Sequence, residues 1–323
     1  MRIILVTPAG ARSRSGNRIT ARRWARLLGS LGHRVSIQMS WDGASADLLI
    51  ALHAWRSADS IDRFRACLPT RPLIVALTGT DIYGFLDTEP ETTRRSLERA
   101  DLLVGLHDLV AEALPPEFRA RVRVVHQSVS GRRVGRRPSK RSFDVCVVAH
   151  LRREKDPLRA ASAAREMPAE SRLRVLHAGK ARDPEWAEAA RREMARNPRY
   201  RWLGEVPSWR VRRLYERTHA MVISSLTEGG ANVVSEAVVA GLPVIASRIP
   251  GNVGLLGSGY PGYYPPEDTG ALRALLQRAE REPGFLADLT RHGAGRAPLF
   301  APEREREAWR RLLQELGRSR PVS

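Results

Sequence analysis

The stretch AMVISSLTEGGANVVSEAVVAGLPVIAS, residues 220–247, decides the fold. A short apolar run is followed by a loop with two glycines and then by a segment of helical composition, residues 231–240. Gly241 lies just past that segment, where a glycine commonly ends a helix, and Pro243 opens another apolar run. This order of strand, loop, helix and strand is the repeating unit of a parallel α/β sheet.

The same alternation continues along the chain. Short apolar runs recur from RIILVTP (2–8) to VRVVHQSV (122–129), and again from FDVCVVAH (143–150) to LPVIASRI (242–249). The basic stretch GRRVGRRPSKRS (131–142) separates the two series, and its composition predicts a solvated linker. We therefore expect an α/β protein with two doubly wound, Rossmann-like domains that face each other across a cleft. The expected boundaries are 1–138 and 139–300, with a C-terminal helix, 301–323, that packs back on the first domain.

Composition and charge narrow the class of protein. The 323 residues are 42% hydrophobic and 28% charged, which is typical of a soluble globular protein. We find neither a signal-peptide core nor an apolar run that could span a membrane, and we expect a cytoplasmic location. The net charge of +19 comes from scattered arginines interleaved with glutamates, so it does not favour nucleic-acid binding. Cys67 and Cys146 form no CxxC motif, and we expect both to be buried thiols.

Two glutamates lie in the otherwise apolar opening stretch. Glu228 precedes the predicted helix, and Gly229 and Gly230 beside it allow backbone amides to approach a ligand closely. Together with the helix N-terminus, this loop suits a diphosphate. Glu236 follows Asn232 by four residues on the same helix face, among apolar residues, where a carboxylate needs donors such as ribose hydroxyls. The alternative is a structural glutamate paired with an arginine of a neighbouring helix.

The E-x7-E spacing followed by EAVVAGLPVIAS resembles the donor-site motif of the large retaining glycosyltransferase family with the GT-B fold. The order of motifs is similar over nearly the whole chain. The resemblance implies that Glu236 holds the ribose of a nucleotide sugar and that Glu228 contacts the donor sugar. It also implies that amides near Asn232 and Val233 meet the diphosphate, and that Lys155 neutralises phosphate charge.

One position departs from the family pattern. The family usually has an arginine five residues before the lysine, and this chain has His150 there. We expect Arg152 to make the phosphate contact instead.

A closer resemblance narrows the reaction. SRSGNRITARRWARLLGSLGHRV, ALHAWRSADSI, ALTGTDIYG and AHLRREKDPLRAA are similar to the selenosugar synthases of selenoneine biosynthesis. The resemblance implies a glycosyltransferase that joins UDP-N-acetylglucosamine to selenophosphate, forms a 1-seleno-sugar, and releases UDP and phosphate. Both small molecules are substrates, so we expect no cofactor, and the chain has no DxD pair that would suggest a metal.

The N-terminal motif suits a small anionic acceptor. Gly16, Asn17 and Arg18 form a loop that enters a predicted helix, with Thr20 just inside it. A glycine, a helix N-terminus and a guanidinium fork together favour an anion. The alternative is a capped helix start with a solvent-facing arginine.

Two further strand ends are expected to face the same cleft. Thr78, Thr80 and Asp81 follow the PLIVAL strand, and His53 ends the strand before it. We expect the first three to bind substrate and His53 to act in catalysis. A histidine satisfied within the core is the alternative for His53.

Two other functions stay open. A GT-B transferase could act on a hydroxyl of a sugar or a lipid, which would call for a basic, apolar face on the helix ARRWARLLGSLG (21–32). A protein that binds nucleotide sugars or nucleic acid without catalysis is the other. We expect neither nucleic acid nor membrane as a partner, and the oligomeric state is not predicted.

Overall fold

The computed structural model describes residues 1–13, 15–131 and 135–318. The chain forms two compact units. The first contains Met1–Ser128, Glu228–Gly230 and Leu299–Ser323, and the second contains Val129–Thr227 and Ala231–Pro298. Glu228–Gly230 thus packs with the first unit although the chain on either side of it belongs to the second. The domain boundaries expected from the sequence, 1–138 and 139–300, assign these three residues to the second domain.

The first unit is built on one sheet. Its strands are β1 (Arg2–Val6), β2 (Arg34–Gln38), β3 (Leu48–Leu52), β4 (Leu73–Ala76), β5 (Leu102–Gly105) and β6 (Val122–Val124). All pairings are parallel, in the spatial order β2-β1-β3-β4-β5-β6. The connecting helical segments are α1 (Gly16–Ser30), α2 (Ala58–Cys67), a π-helical turn (Asp81–Phe85), α3 (Leu86–Thr88), α4 (Pro90–Arg99), a 3-10 turn (Val110–Ala113) and α5 (Pro116–Arg119).

The core of this unit lies on both faces of the sheet. All five residues of β3 are buried, as expected for a central parallel strand that helices cover on both sides. Its side chains alternate between two apolar clusters. Leu49 packs in the cluster that contains Phe64 of α2, whereas Leu48 and Ile50 pack in the cluster that contains Trp24 of α1.

The second unit repeats this architecture. Its strands are β7 (Phe143–Val148), β8 (Leu173–Ala178), β9 (Tyr200–Trp202), β10 (Ala220–Ile223), β11 (Val244–Ser247) and β12 (Tyr263–Tyr264). They are parallel, in the order β12-β11-β10-β7-β8-β9. The helical segments are a 3-10 turn (Arg153–Lys155), α6 (Arg159–Arg165), α7 (Pro184–Arg196), α8 (Ser208–Arg217), α9 (Asn232–Ala240), α10 (Pro250–Leu256), α11 (Thr269–Arg281) and α12 (Pro283–Arg296).

A 3-10 turn (Ala297–Phe300) leads to the last helix, α13 (Pro302–Arg318), which is part of the first unit. Trp309 of α13 packs edge-on against Trp24 of α1, with ring centroids 4.8 Å apart. Glu305 is almost fully buried and accepts hydrogen bonds from the Trp24 indole at 2.8 Å and from the Ser128 amide at 2.9 Å. These contacts fix the helix to α1 and to the end of the first segment of the chain.

The predicted α/β class with two parallel sheets is confirmed. The helix predicted at residues 231–240 is α9, and Gly241 ends it in the left-handed region with φ 72°. Strand β12 was not predicted, because two residues show no periodicity. Cys146 is buried as expected, but the prediction for Cys67 is wrong: it lies exposed at the end of α2. Within the residues the structure describes, no helix has the length and apolar character needed to cross a membrane.

The two sheets each have one point at which the strand order reverses direction. It lies between β1 and β3 in the first unit and between β7 and β10 in the second. Ligands of doubly wound sheets bind outside the carboxyl ends of the strands at this switch point. The loops that follow these four strands are therefore the first places to look for a site.

Candidate functional site

At the switch point of the second sheet, the 3-10 turn Arg153–Lys155 is held against the end of β10. The Ser224 hydroxyl donates to the carbonyls of Lys155 and Asp156, at 3.1 and 2.8 Å. The Leu226 amide donates to the carbonyl of the middle residue of the turn at 2.9 Å. Asp156 has φ 41°, an unusual left-handed conformation for a residue with a side chain. The backbone of the turn is thus fixed, and the half-buried Lys155 side chain starts from a defined position.

Arg152 and His150 lie in the loop that leads into this turn. Arg152 Nε is 3.8 Å from a Glu154 carboxylate oxygen and has no hydrogen-bond partner within the described part of the chain. His150 accepts a hydrogen bond from the Lys180 amide at Nδ1, 3.2 Å. Burial, and then the nearby charge of Arg182, lower the pKa of His150 to about 4. A neutral His150 supplies no cation, so the arginine contact predicted for Arg152 cannot be made by His150 instead.

Helix α9 begins at the same switch point. Among the described residues its N-cap, Ala231, makes no side-chain hydrogen bond to the helix. The amides of Asn232 and Val233 belong to the first turn, where an α-helix offers no backbone acceptor. Glu236 lies one turn further along, and the Tyr215 hydroxyl of α8 donates to its Oε2 at 3.1 Å. Lys155 follows the carboxyl end of β7, and α9 with Glu236 follows that of the neighbouring β10; this set is called here the second-unit edge.

Glu228 and the two glycines after it precede α9 as predicted, but the structure gives the glycines a packing role. Glu228 is 9% exposed. A Cβ on Gly229 would collide with the Thr78 carbonyl carbon, and a Cβ on Gly79, which has φ 120°, would lie 2.5 Å from the Gly229 nitrogen. A Cβ on Gly230 would collide with the side chain of Leu106, 2.5 Å from its Cβ. Gly229 and Gly79 therefore allow two backbones to approach closely, whereas Gly230 is required by a neighbouring side chain.

Asp81 shapes the loop that Gly229 touches. It is fully buried, and its carboxylate accepts hydrogen bonds from the amides of Thr78 at 3.0 Å, Gly79 at 2.7 Å and Ala54 at 3.1 Å. A carboxylate used in this way has no surface to offer a substrate. The predicted substrate contact of Asp81 is therefore corrected to a structural one, while the side chains of Thr78 and Thr80 are half-buried.

His53 is a satisfied buried histidine. Its Nδ1 accepts from the Arg56 amide at 3.2 Å, so in the neutral ring Nε2 carries the proton and donates to Thr80 Oγ1 at 2.9 Å. Burial lowers the pKa of His53, although the negative charge of Asp81 opposes this. His53 also has φ 78°, a strained conformation that such a residue adopts only when its surroundings enforce it. The prediction that it takes part in catalysis is not supported by this geometry; it orients the Thr80 hydroxyl.

The motif at the start of α1 divides into an inward and an outward part. Thr20 is buried and accepts a hydrogen bond from the Gln127 side chain at 2.6 Å. Gly16 is exposed, and a Cβ there would meet nothing within 4 Å, so close approach does not require this glycine. Asn17 and Arg18 are half-buried, and Arg18 Nε has no hydrogen-bond partner among the residues described. Arg18 is the guanidinium left for a ligand at this position.

Sequence reasoning missed an aromatic pair on the first unit. Trp55, two residues after His53, stacks on Phe85 with ring centroids 4.1 Å apart and planes 3° apart. Phe85 ends the π-helical turn, and such turns are frequent at functional sites. The signal was a tryptophan directly after a strand end. With Arg18 and Thr80, this pair belongs to the carboxyl ends of β1, β3 and β4, called here the first-unit edge.

The comparisons with known proteins agree with this architecture. Residues 133–296, just over half of the chain, match the family model described as glycosyl transferases group 1. No curated protein sequence is significantly similar to the chain.

Several solved structures are similar over their full length. Sucrose-phosphate synthase from Thermosynechococcus elongatus is 16% identical with a TM-score of 0.81, over 99% of this chain and 100% of that one. HepE of Anabaena in complex with UDP-glucose is 14% identical with a TM-score of 0.78, over 98% and 100%. A glycosyltransferase from Rickettsia africae is 13% identical with a TM-score of 0.76, over 99% of each chain. These likenesses show the fold, and the predicted GT-B assignment is confirmed.

Proposed function

The chain belongs to the group 1 glycosyl transferases, and we propose that it forms a 1-seleno-sugar from UDP-N-acetylglucosamine and selenophosphate. The proposal is supported by the order of the chain at the switch point of the second sheet, where Lys155 follows β7 and α9 with Glu236 follows β10. A nucleotide sugar has groups that match each of them. The cation and the helix start suit its diphosphate, and the carboxylate suits its ribose hydroxyls.

The second-unit edge is suited to the leaving group of the transfer. When the bond between the anomeric carbon and UDP breaks, negative charge develops on the phosphate oxygens. Lys155, Arg152 and the first amides of α9 are fixed donors for that charge, so they stabilise the transition state more than the bound substrate. HepE, which has the same fold, was crystallised with UDP-glucose, which supports a nucleotide sugar as the donor.

The first-unit edge is suited to a small anion. Arg18 Nε is without a partner in the described residues, and the Thr80 hydroxyl accepts from His53, which leaves its own hydrogen to donate. Both ring nitrogens of His53 are engaged in hydrogen bonds and burial lowers its pKa, so it is a poor general base. Selenophosphate needs none, because its selenium is already anionic near neutral pH. The selenium lone pair forms the bond to the anomeric carbon as UDP departs, and water then cleaves the Se–P bond to release phosphate.

One observation favours a second candidate function. The stacked pair Trp55 and Phe85 is half-buried on the first unit, in the loops that also carry His53 and Thr80. A flat aromatic surface suits the apolar face of a sugar ring better than a selenophosphate. The alternative is therefore transfer of the donor sugar to a hydroxyl of a sugar acceptor.

A single incubation distinguishes the two. The protein is mixed with UDP-N-acetylglucosamine and selenophosphate, and the products are examined by mass spectrometry for the selenium isotope pattern. A parallel reaction replaces selenophosphate with a mixture of monosaccharides. A selenium-containing hexosamine supports the proposal, whereas a disaccharide without selenium incorporation supports the alternative. Release of UDP in neither reaction contradicts both.

The donor assignment has its own test in Glu236→Ala. Loss of charge-assisted hydrogen bonds to ribose should weaken UDP binding by roughly 1–3 kcal/mol, measured by isothermal titration calorimetry. Glu185→Ala is the control, because Glu185 is an exposed glutamate in the same unit. Unchanged affinity in folded Glu236→Ala would remove Glu236 from the site.

A further inference from the structure

Tyr215 is buried in the second unit, and its role is not explained by packing alone. It lies on α8 and is 2% exposed, yet its hydroxyl points at the Glu236 carboxylate, 3.1 Å from Oε2. We propose that Tyr215 is a positioning residue for the nucleotide: it holds the Glu236 carboxylate in the one orientation that accepts hydrogen bonds from the ribose hydroxyls. This inference rests on the proposed function, since it takes UDP as the ligand of Glu236.

The direction of the hydrogen bond follows from the chemistry of the two groups. An ionised carboxylate is only an acceptor, so the tyrosine hydroxyl must donate. Burial, and then the negative charge of Glu236, raise the pKa of Tyr215 well above 10. The hydroxyl therefore keeps its proton at every pH at which the enzyme would work.

The two helices that carry this pair are joined at their C-terminal ends by Arg136. Its guanidinium donates to the carbonyl of Thr218, which ends α8, at 2.7 Å, and to that of Gly241, which ends α9, at 3.3 Å. It also donates to the His219 carbonyl at 3.0 Å. A cation at two helix C-termini is favourable because each carries partial negative charge. Arg136 thus sets the spacing of α8 and α9 on which the contact between their side chains depends.

The contacts of Arg136 also show that the basic stretch 131–142 is not simply the solvated linker that its composition predicts. Residues 132–134 of that stretch lie outside the described residues, but Arg136 is docked on the second unit through three carbonyl oxygens. The arginine belongs to the support of the site.

Anchoring matters because a glutamate side chain is flexible. Free in solution, Glu236 would sample many rotamers, and binding of ribose would have to select one of them. A hydrogen bond from Tyr215 to one oxygen restricts the carboxylate before the ligand arrives, and pre-organisation of this kind increases affinity. A carboxylate has about four lone-pair positions in all, so the tyrosine contact leaves acceptor capacity for hydroxyls.

The test compares two ligands that differ only at the ribose. UDP and 2′,3′-dideoxy-UDP are titrated into wild type and Tyr215→Phe by calorimetry. Wild type should bind UDP at least about tenfold more tightly than the dideoxy compound. Tyr215→Phe should bind UDP about five- to tenfold more weakly than wild type, while its affinity for the dideoxy compound changes by less than about twofold, so that the preference for ribose nearly disappears.

The matched control is Tyr200→Phe. Tyr200 is also a buried tyrosine of the second unit whose hydroxyl bonds a side chain, Nδ1 of His177 at 2.9 Å. It should lose stability as Tyr215→Phe does and keep the full ribose preference. If Tyr215→Phe does not fold, 3-fluorotyrosine at position 215 serves instead, since it keeps the ring and the fold but makes the hydroxyl a stronger donor to Glu236. The ribose preference must then change while the affinity for the dideoxy compound stays the same, and an unchanged preference overturns the inference.

The outcomes separate this inference from the proposed function. If wild type binds UDP with a ribose preference and Tyr215→Phe retains it, the inference is wrong and the donor assignment stands. If Tyr215→Phe weakens both ligands equally, Tyr215 has only a structural role, which also overturns the inference. If wild type does not bind UDP at millimolar concentration, the proposed function is wrong and the inference fails with it.

Discussion

The two units share one topology but use charge at their edges in opposite ways. At the second-unit edge, a neutral group holds the backbone: the Ser224 hydroxyl bonds the carbonyl of Lys155 and so fixes the turn that carries this cation. At the first-unit edge the arrangement is reversed, because the carboxylate of Asp81 is buried and holds the loop, and Thr78 and Thr80 are half-buried. Two similar sheets thus differ in the kind of group that their loops keep inside.

This difference explains why the two edges tolerate different changes. A charge that meets a ligand can be removed at the cost of binding, whereas a charge that satisfies buried amides is removed at the cost of stability. The second-unit edge should therefore respond to substitution mainly in affinity. The first-unit edge should respond mainly in stability, except at Arg18.

The largest expected effect concerns a feature that both units share. His107 in the first unit and His177 in the second are fully buried, and burial lowers the pKa of each from 6.5 to about 4. The unfolded chain takes up protons near pH 6.5 that the folded chain does not, so stability is complete above that pH and is lost as the pH falls towards 4. The loss should reach roughly 3 kcal/mol for each histidine.

Thermal melts between pH 7.5 and 4 measure this loss. His292→Gln is the control, because His292 is exposed and its loss should leave the pH profile unchanged. A melting temperature that stays constant between pH 6.5 and 4.5 would contradict the neutral state assigned to both rings.

The next effect distinguishes the two edges directly. Asp81→Asn removes the charge that satisfies the amides of Thr78, Gly79 and Ala54, and it turns an amide NH₂ toward one of those donors. The free energy of unfolding should fall by roughly 2–4 kcal/mol, measured by urea denaturation. Asp87→Asn, an exposed aspartate of the following turn, should change it by less than about 0.5 kcal/mol. A stable Asp81→Asn variant that lost only acceptor binding would restore the prediction that Asp81 contacts the substrate.

What the sequence could predict was local. The strand, loop and helix order around α9 follows from hydrophobic periodicity and from Gly241, and the structure has that helix within one residue of its predicted start. Lys155 could be placed after a strand end, and Glu236 within the helix, for the same reason. Asp81 and His53 were misjudged because their partners are backbone amides and a threonine that only the folded loops bring near.

Contacts between distant segments were beyond the sequence. Nothing in the spacing of Tyr215 and Glu236, or of Arg136 and Gly241, indicates that they meet. Gly229 illustrates the same limit: a glycine in a loop predicts close approach, but not whether a ligand or another backbone approaches it.

A smaller effect on activity is expected at Arg18, the arginine of the first-unit edge that we assign to the acceptor. Arg18→Ala should raise the apparent KM for selenophosphate by the equivalent of roughly 1.5–3 kcal/mol and leave UDP affinity nearly unchanged. Arg18→Lys should restore only part of the loss, because a lysine cannot form a two-pronged contact. Steady-state kinetics with each substrate varied in turn provide the measurement.

Two results would change the comparison at this position. A change in the KM of the UDP-sugar instead would mean that the roles of the edges are exchanged. If neither KM nor kcat moved, Arg18 would be a surface arginine, and the acceptor would have to be sought beside Thr80 and Trp55.

The smallest effect concerns metal ions, and here we expect none. Lys155, Arg152 and the first amides of α9 are the groups that we assign to the diphosphate, and together they supply positive charge without a divalent cation. The rate in EDTA should therefore equal the rate in added Mg²⁺, whereas Lys155→Ala should be slow in both, because a metal cannot substitute for a cation fixed by the backbone of its turn. An enzyme that stopped completely in EDTA and recovered with Mg²⁺ or Mn²⁺ would show that the second-unit edge holds its ligand through a metal.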